Sequence, residues 1–326
     1  MRVPFSELHA VLRDALRKTG MEEGRADRCA RLFAEASRDG VASHGLNRFP
    51  RFLRAIASGV VDVHARGERV GGHGAFERWD GRGGPGNLNA DEAMARTIAL
   101  AREHGVGCIA LGNTNHWMRG GTYGWQAAEA GVIGVCWTNT LPNLPPWGAE
   151  DPRVGNNPLV VAVPRRDGHV VLDMAMSQFS VGALEAYRLR GDSLPVAGGY
   201  DEHGELTRDP GAIEASRRLL PIGFWKGSGL ALALDLVAAL LSGGRATHEI
   251  PRDPERETCL SQVFLAIDPA GADAGLADRA IAHLHAGGGE VRYPGERTLE
   301  TRNRNLRDGV PVDPAIWRDV QARAAG

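Results

Sequence analysis

Two polar clusters carry side chains that could do acid–base chemistry on an anion. The first is Ser43, His44, Asn47 and Arg48 in SHGLNRFPRF. Pro50 would break a helix running back to Ser43 but suits the first turn of one beginning near Asn47. His44 and Arg48 then flank a helix N-terminus, where free N–H groups and the dipole favour an anion and an Arg can grip a carboxylate with two parallel bonds. An imidazole titrates near neutrality, so His44 can pass a proton. A helix cap at His44 with a surface ion pair at Arg48 fits the same spacing, and both readings stay open. The second cluster is Asn113, Asn115, His116, Trp117, Met118 and Arg119 in GNTNHWMRGG, directly after an apolar run. Ligands of α/β sheets sit beyond the carboxyl ends of strands. The next apolar run ends likewise in Thr138, Asn139 and Thr140, so Thr138 and Asn139 are candidate substrate contacts; buried turn asparagines and a core Trp are the alternative.

Helices and strands must position these groups. Phe5, Leu8, Val11, Leu12, Ala15 and Leu16 recur at helical spacing, with Ser6 as the expected cap and Gly20 past the last turn. A second helix is expected from Glu23 to Arg38, with its stripe Ala26, Ala30, Phe33 and Ala36 stopped by Gly40, and a third from about Phe49 to Ser58. Beyond Gly59 the apolar runs GVGCIALGN, GVIGVCWTN, PLVVAVP and SQVFLAID alternate with helical stretches, which predicts α/β layers. The stretch from Leu230 to Leu241 contains Asp235 and falls short of the roughly 18 residues that cross a bilayer, so a buried helix is expected. IPRDPERE, ending at Glu257, reads as a polar surface loop, and Asp313 to Ala325 as a last helix. The helices at the two chain ends each carry one apolar stripe that neither can bury alone. Residues 1–70 and 287–326 are therefore expected to form one discontinuous helical domain against a central α/β domain of residues 71–286, with the cleft between them at His44 and His116.

Composition narrows the partners. The 38 Lys+Arg against 40 Asp+Glu leave a net charge of −2, too little excess to expect nucleic acid or an anionic membrane as partner. The first residues become charged and amphipathic at once, so no export signal is expected and the cytoplasm is the expected compartment. Cys29, Cys108, Cys136 and Cys259 form no CxxC pair, and His283 and His285 are two apart on an expected helix, so neither a metal site nor a disulfide framework is expected. Gly81, Gly83 and Gly86 in GRGGPG imitate a dinucleotide fingerprint, but Pro85 has no N–H for a pyrophosphate and the preceding AFERWD is short and polar. A glycine turn is the better expectation. GFWKGSG lacks P-loop spacing, and the nucleophile elbow G-x-S-x-G is missing.

SHGLNRFPRF, NHWMRGGTYGWQAAEAG, CWTN, PPWGA, NNPL, LDMAMS and LPIGFWKGSG, in this order, resemble the malate/L-lactate dehydrogenase family that is distinct from the Rossmann lactate and malate dehydrogenases. Within it the chain is most similar to the branch that reduces a sugar-derived 2-oxo acid. The resemblance runs from Val3 to about Trp317 and implies a homodimeric reductase that passes hydride from NADH, with NADPH as the alternative, to the ketone of a 2-oxo acid. It implies a three-layer mixed sheet of non-Rossmann type. It makes His44 the proton donor, with His116 a second histidine that takes the acid–base role in other branches, and Ser43 and Arg48 holders of the substrate. A cationic donor would stabilise charge developing on the carbonyl oxygen while Arg48 keeps the carboxylate still. For the cofactor it implies His169, Val170, Val171, Leu172, Asp173, Met174 and Ala175, then Trp225 and Lys226, and finally Gly295, Glu296 and Arg297. Asp173 could accept from a ribose hydroxyl or be a structural residue before a helix. Malate, lactate, ureidoglycolate and cyclic imino acid chemistry occur on the same scaffold, and a sugar-acid binding protein without turnover is the alternative from another class. Thr140 to Asn143 replace an aliphatic stretch of the branch, which leaves the substrate open.

Overall fold

Strands form where apolar residues alternate or run together between turn residues. In the computed structural model, which describes residues 1–273 and 275–326, these are β1 (Arg2–Val3), β2 (Glu68–His73), β3 (Phe76–Asp80), β4 (Val106–Asn115), β5 (Ile133–Thr138), β6 (Leu159–Val163), β7 (Val170–Met174), β8 (Gly199–Tyr200), β9 (Leu206–Thr207), β10 (Arg218–Leu219), β11 (Thr258–Ile267) and β12 (Val310–Pro311). The helices are α1 (Phe5–Arg17), α2 (Glu23–Arg38), α3 (Phe49–Ala57), α4 (Gly86–His104), α5 (Gly121–Glu129), α6 (Val181–Arg190), α7 (Pro210–Ser216), α8 (Trp225–Ser242), α9 (Leu276–His285), α10 (Glu296–Asp308) and α11 (Pro314–Ala325).

Seven strands make one mixed sheet in the order β2-β3-β4-β11-β5-β6-β7. Only β3 and β4 are parallel, and β11 runs antiparallel to both of its neighbours, with Phe264 opposite Ile109 on one side and Cys136 on the other. Period-2 alternation sorts the two faces. Ile109 and Leu111 join Met94 of α4 and Tyr123 of α5 in one core, while Ala110 and Cys108 pack with Ala238 and Leu241 of α8. That is the three-layer mixed sheet the sequence led us to expect.

The AFERWD run is more than a polar lead-in, because Phe76–Asp80 is a strand inside the sheet. It tolerates Glu77 there because Arg96 and the Trp79 ring N–H both donate to that carboxylate. The glycines after it do form a turn. Asn115 Nδ2 donates to Gly83 O at 2.7 Å and Gly84 O at 3.0 Å, and a Cβ on Gly86 would fall 2.1 Å from Asn115 O. The turn therefore closes on the end of β4.

At the chain ends, Leu8, Leu12 and Leu16 of α1, Phe33 of α2 and Phe49 of α3 share a core with Trp317 and Val320 of α11. β1 pairs with β12, Arg2 opposite Pro311. Ser6 does not cap α1; Pro4 precedes the helix and no side chain caps it. Asp313 does cap α11, accepting from Ala315 N and Ile316 N. A smaller lobe, β10-β8-β9 with α6 and α7, is built on Leu184, Leu194, Ile213 and Leu219.

One expectation fails in this layer scheme. α8 is not a buried helix: Ala231, Asp235 and Ala238 face inward, but Leu232, Leu236, Val237 and Leu240 are exposed, Leu240 by 75%. An apolar run with no polar stripe carries no inside–outside pattern, so periodicity could not separate these faces.

Candidate active site

The first cluster is shaped by a tight crossing at the end of α2. The chain leaves α2 through Gly40 and makes two short 3₁₀ turns, Ala42–His44 and Leu46–Arg48, before α3 begins with Pro50 in its first turn. A Cβ on Gly45 would fall 2.1 Å from Ser37 Oγ, so only glycine lets this turn sit on α2. Ser37 Oγ accepts from Leu46 N at 2.8 Å and donates to Phe33 O, which fixes the turn. Ser43 Oγ lies 3.2 Å from His44 Nδ1.

The second cluster meets it across the cleft. Asn113 near the end of β4 and Met118 just past it both have positive φ, and the Met118 N–H donates to His116 Nδ1 at 3.0 Å. In the neutral ring that leaves the hydrogen on Nε2. The two imidazoles stack with centroids 5.7 Å apart and planes 18° from parallel. α6 closes the far side: Ser180 caps it, and a Cβ on Gly182 would fall 2.9 Å from Ser43 Oγ.

Electrostatics set the protonation. Burial, with the charges of Arg48 and Arg119, lowers the His44 pKa to about 4, and burial with Arg48, His44 and Arg51 holds His116 well below its ordinary value. Without substrate these neighbours hold both imidazoles toward the neutral form. Arg48 itself is brought down to about 10, by burial first and by Arg51.

Arg48, Asn115, His116, Met118 and Glu257 line an open cleft. Glu257 corrects another expectation. The IPRDPERE loop does not stay on the surface throughout, since its last side chain is only 7% exposed and lies 3.6 Å from Arg48. Glu257 also accepts from Leu141 N at 3.4 Å. Burial pushes its pKa up, and Arg48 pulls only part of the way back. Among the described residues the Arg48 guanidinium has this one ion pair and donates no hydrogen bond.

A second Arg–carboxylate group sits just behind. Asp39, at the end of α2, accepts from Arg119 Nη1 at 2.6 Å, from Arg302 Nε and Nη2 at 2.9 and 2.8 Å, and from Arg38 Nε at 2.7 Å. Burial alone would raise its pKa, but these bonds and charges hold it far below the usual carboxylate range. Asp39 thereby ties α2, the segment after β4 and α10 together.

The structure does not bring Thr138 and Asn139 to the cleft. Asn139 Nδ2 donates to Asp235 Oδ1 and Arg245 O, its Oδ1 accepts from Ser261 N, and both residues are buried. The alternative reading, buried framework asparagines, describes Asn139. The stretches implied for the cofactor do converge, on the edge strand β7. Val171 N donates to Pro294 O at 2.8 Å, and Gly295, at φ +103°, lies so close that a Cβ would fall 2.9 Å from His169 O. Just past Ala175, Met176 O accepts from Ile222 N, on the segment leading into the exposed Trp225 and Lys226. Asp173 is within β7 rather than before a helix and accepts from Gly121 N at 2.8 Å.

Sequence reasoning missed Asp39, Glu257 and the first turn of α6. Only the three arginines Arg48, Arg51 and Arg54 on one short segment hinted at a counter-charge, and nothing local said that Glu255 and Glu257 supply it.

Comparison with known proteins agrees over the whole chain. The family model described as malate/L-lactate dehydrogenase matches residues 3–321. The 2,3-diketo-L-gulonate reductase of Salmonella newport is 45% identical over 337 residues, covering 99% of this chain and 100% of that protein. Among solved structures, delta1-piperideine-2-carboxylate reductase from Pseudomonas syringae pvar. tomato superposes with a TM-score of 0.90 at 31% identity, covering 99% of each chain. Sulfolactate dehydrogenase from Methanocaldococcus jannaschii gives 0.90 at 27% identity, over 100% of this chain and 97% of that one. The chain belongs to the malate/L-lactate dehydrogenase family and is an oxidoreductase that uses a nicotinamide cofactor.

Proposed function

We propose that the chain reduces the ketone of a 2-oxo acid, a sugar-derived one of the 2,3-diketo-L-gulonate kind, with NADH preferred and NADPH the alternative. The observation that carries this reading is the Arg48 guanidinium, set into the cleft beside two stacked imidazoles with its hydrogen-bond donors unspent. Arg48 binds the substrate carboxylate through its fork, and Ser43 orients His44. Burial is the first cause that depresses His44 and the Arg48 charge the second; a bound carboxylate offsets the second and so eases uptake of a proton as substrate enters. His44 then gives that proton to the reduced oxygen: its N–H bond breaks, the O–H bond forms, and a neutral imidazole remains. His116 directs Nε2–H at the carbonyl oxygen.

The residues of the β7 edge suit the cofactor. Gly295 permits close approach, the backbone of His169 to Ala175 offers strand-edge groups, and Lys226 and Arg297 add positive charge for phosphates, with Trp225 and Glu296 beside them. When bound, a reduced nicotinamide supplies the hydride. The homodimer reading is supported by the exposed stripe Leu232, Leu236 and Leu240 on α8, spaced to form one ridge. The reading places the enzyme in the cytoplasm, without nucleic acid or membrane as partner, and takes residues 1–70 with 287–326 as one helical domain against 71–286.

An absorbance assay of NADH and NADPH oxidation against a panel of 2-oxo acids tests the reading. Turnover of hydroxylated 2-oxo acids, preferring NADH, is expected; oxidation by none of the panel with either cofactor overturns it.

A further inference from the structure

The 3.6 Å pair at the mouth of the cleft is incompletely satisfied on both sides. Arg48 offers five N–H donors and commits none of them to a hydrogen bond among the described residues. Glu257, when ionised, has about four acceptor sites and receives a single long bond, 3.4 Å from Leu141 N. Its position is nonetheless fixed. Arg51 donates to Pro254 O and pairs with Glu255 at 3.4 Å, and Arg54 reaches the same carboxylate, so α3 clamps the loop that carries Glu257. Glu257 is thus a carboxylate held in place whose free lone pairs open on the cleft, ready for donors on a ligand.

We propose that Glu257 determines specificity in this cleft: its carboxylate accepts hydrogen bonds from hydroxyls on the substrate chain, so the cleft takes hydroxylated monocarboxylic 2-oxo acids and rejects dicarboxylic ones. The two ends of such a ligand match the two groups. Its carboxylate takes the N–H donors that Glu257 leaves uncovered on Arg48, and its hydroxyls donate to Glu257. A second carboxylate would instead be pressed against the like charge of Glu257. The inference rests on the proposed reduction of 2-oxo acids and refines which ones are reduced.

The test measures kcat and KM for three substrates, a polyhydroxylated 2-oxo acid, pyruvate and oxaloacetate, with the parent enzyme, Glu257→Gln and Glu257→Asp. Glu257→Gln should lower the ratio of kcat/KM for the hydroxylated acid over oxaloacetate by about a hundredfold, chiefly through KM, with pyruvate moving least. Glu257→Asp, which keeps the charge but withdraws it by one methylene, should recover part of the ratio. An equal fall for all three substrates would mean that Glu257 only steadies Arg48, and an unchanged ratio would mean that it does not face the substrate; either overturns the inference while the reductase reading stands. A parent enzyme that turns over none of the three with NADH or NADPH overturns both.

Discussion

Two carboxylates meet arginines within the same part of the molecule, and they are treated in opposite ways. Asp39 receives four hydrogen bonds from three guanidiniums, none longer than 2.9 Å, and its pKa is driven down. Glu257 faces Arg48 across 3.6 Å without a hydrogen bond, and its pKa is driven up. Both are buried, so burial does not explain the difference; saturation does. A saturated pair fixes a joint, here between α2, α10 and the segment that carries His116. An unsaturated pair leaves bonding capacity for something that arrives later.

The comparison can be broken most forcefully on the side of the cleft. His44→Ala is expected to lower kcat by about 10²–10⁴-fold with little change in KM, because it removes a proton transfer made only in the transition state. Steady-state kinetics decide it, and equal effects on kcat and KM would make His44 a binding group. On the other side, Asp39→Ala strands three arginines without their counter-charge. Chemical denaturation should show a loss of about 3–5 kcal/mol, with normal kcat in the molecules that remain folded. A stable Asp39→Ala variant with poor kcat would reverse the roles assigned to the two groups. Arg48→Lys should raise KM for carboxylate substrates by about tenfold, since an ammonium cannot reproduce the bidentate fork; equal turnover of acids and uncharged ketones by the parent would remove the anion clamp altogether.

Acid should separate the two regions in order. His44 has a folded pKa of about 4 against an ordinary 6.5, so the unfolded chain takes up a proton that the folded chain refuses. Its contribution to stability is whole above pH 6.5 and is lost as pH falls through about 4. Asp39, lowered from 3.8, gives up its contribution only below that. Unfolding curves should soften first below pH 6.5, as His44 and His116 both take up protons on unfolding, and His44→Gln should remove only the His44 share of that step and leave the Asp39 step in place.

Much of this was legible in the amino-acid sequence where the signal is local. The stripes of α1 and α2, the four apolar runs that became β4, β5, β6 and β11, and the SHGLNR turn ahead of a proline all speak through neighbours a few residues apart. The family motifs extended that reading to the cofactor stretches. What failed was non-local or two-sided. Glu257 lies more than 200 residues from Arg48 in a loop whose composition says only that it is polar. Thr138 and Asn139 end a strand like His116 does, but the residues that consume Asn139, Asp235 and Ser261, come from elements about 100 residues further on. α8 is apolar around its circumference, and no periodicity tells which side a protein covers.

The place of β11 in the sheet bears on how the chain folds during synthesis. β2, β3 and β4 form one local set of strands and β5, β6 and β7 another, yet no strand pairing joins them until Thr258–Ile267 slides between β4 and β5. Until that segment leaves the ribosome, both half-sheets present an unpaired inner edge of apolar strand, the kind of edge that recruits other chains. The sheet closes late, through contacts of long sequence separation, and folding is correspondingly slow. A nascent chain stalled before residue 258 should therefore be the form most prone to aggregate and most in need of a chaperone.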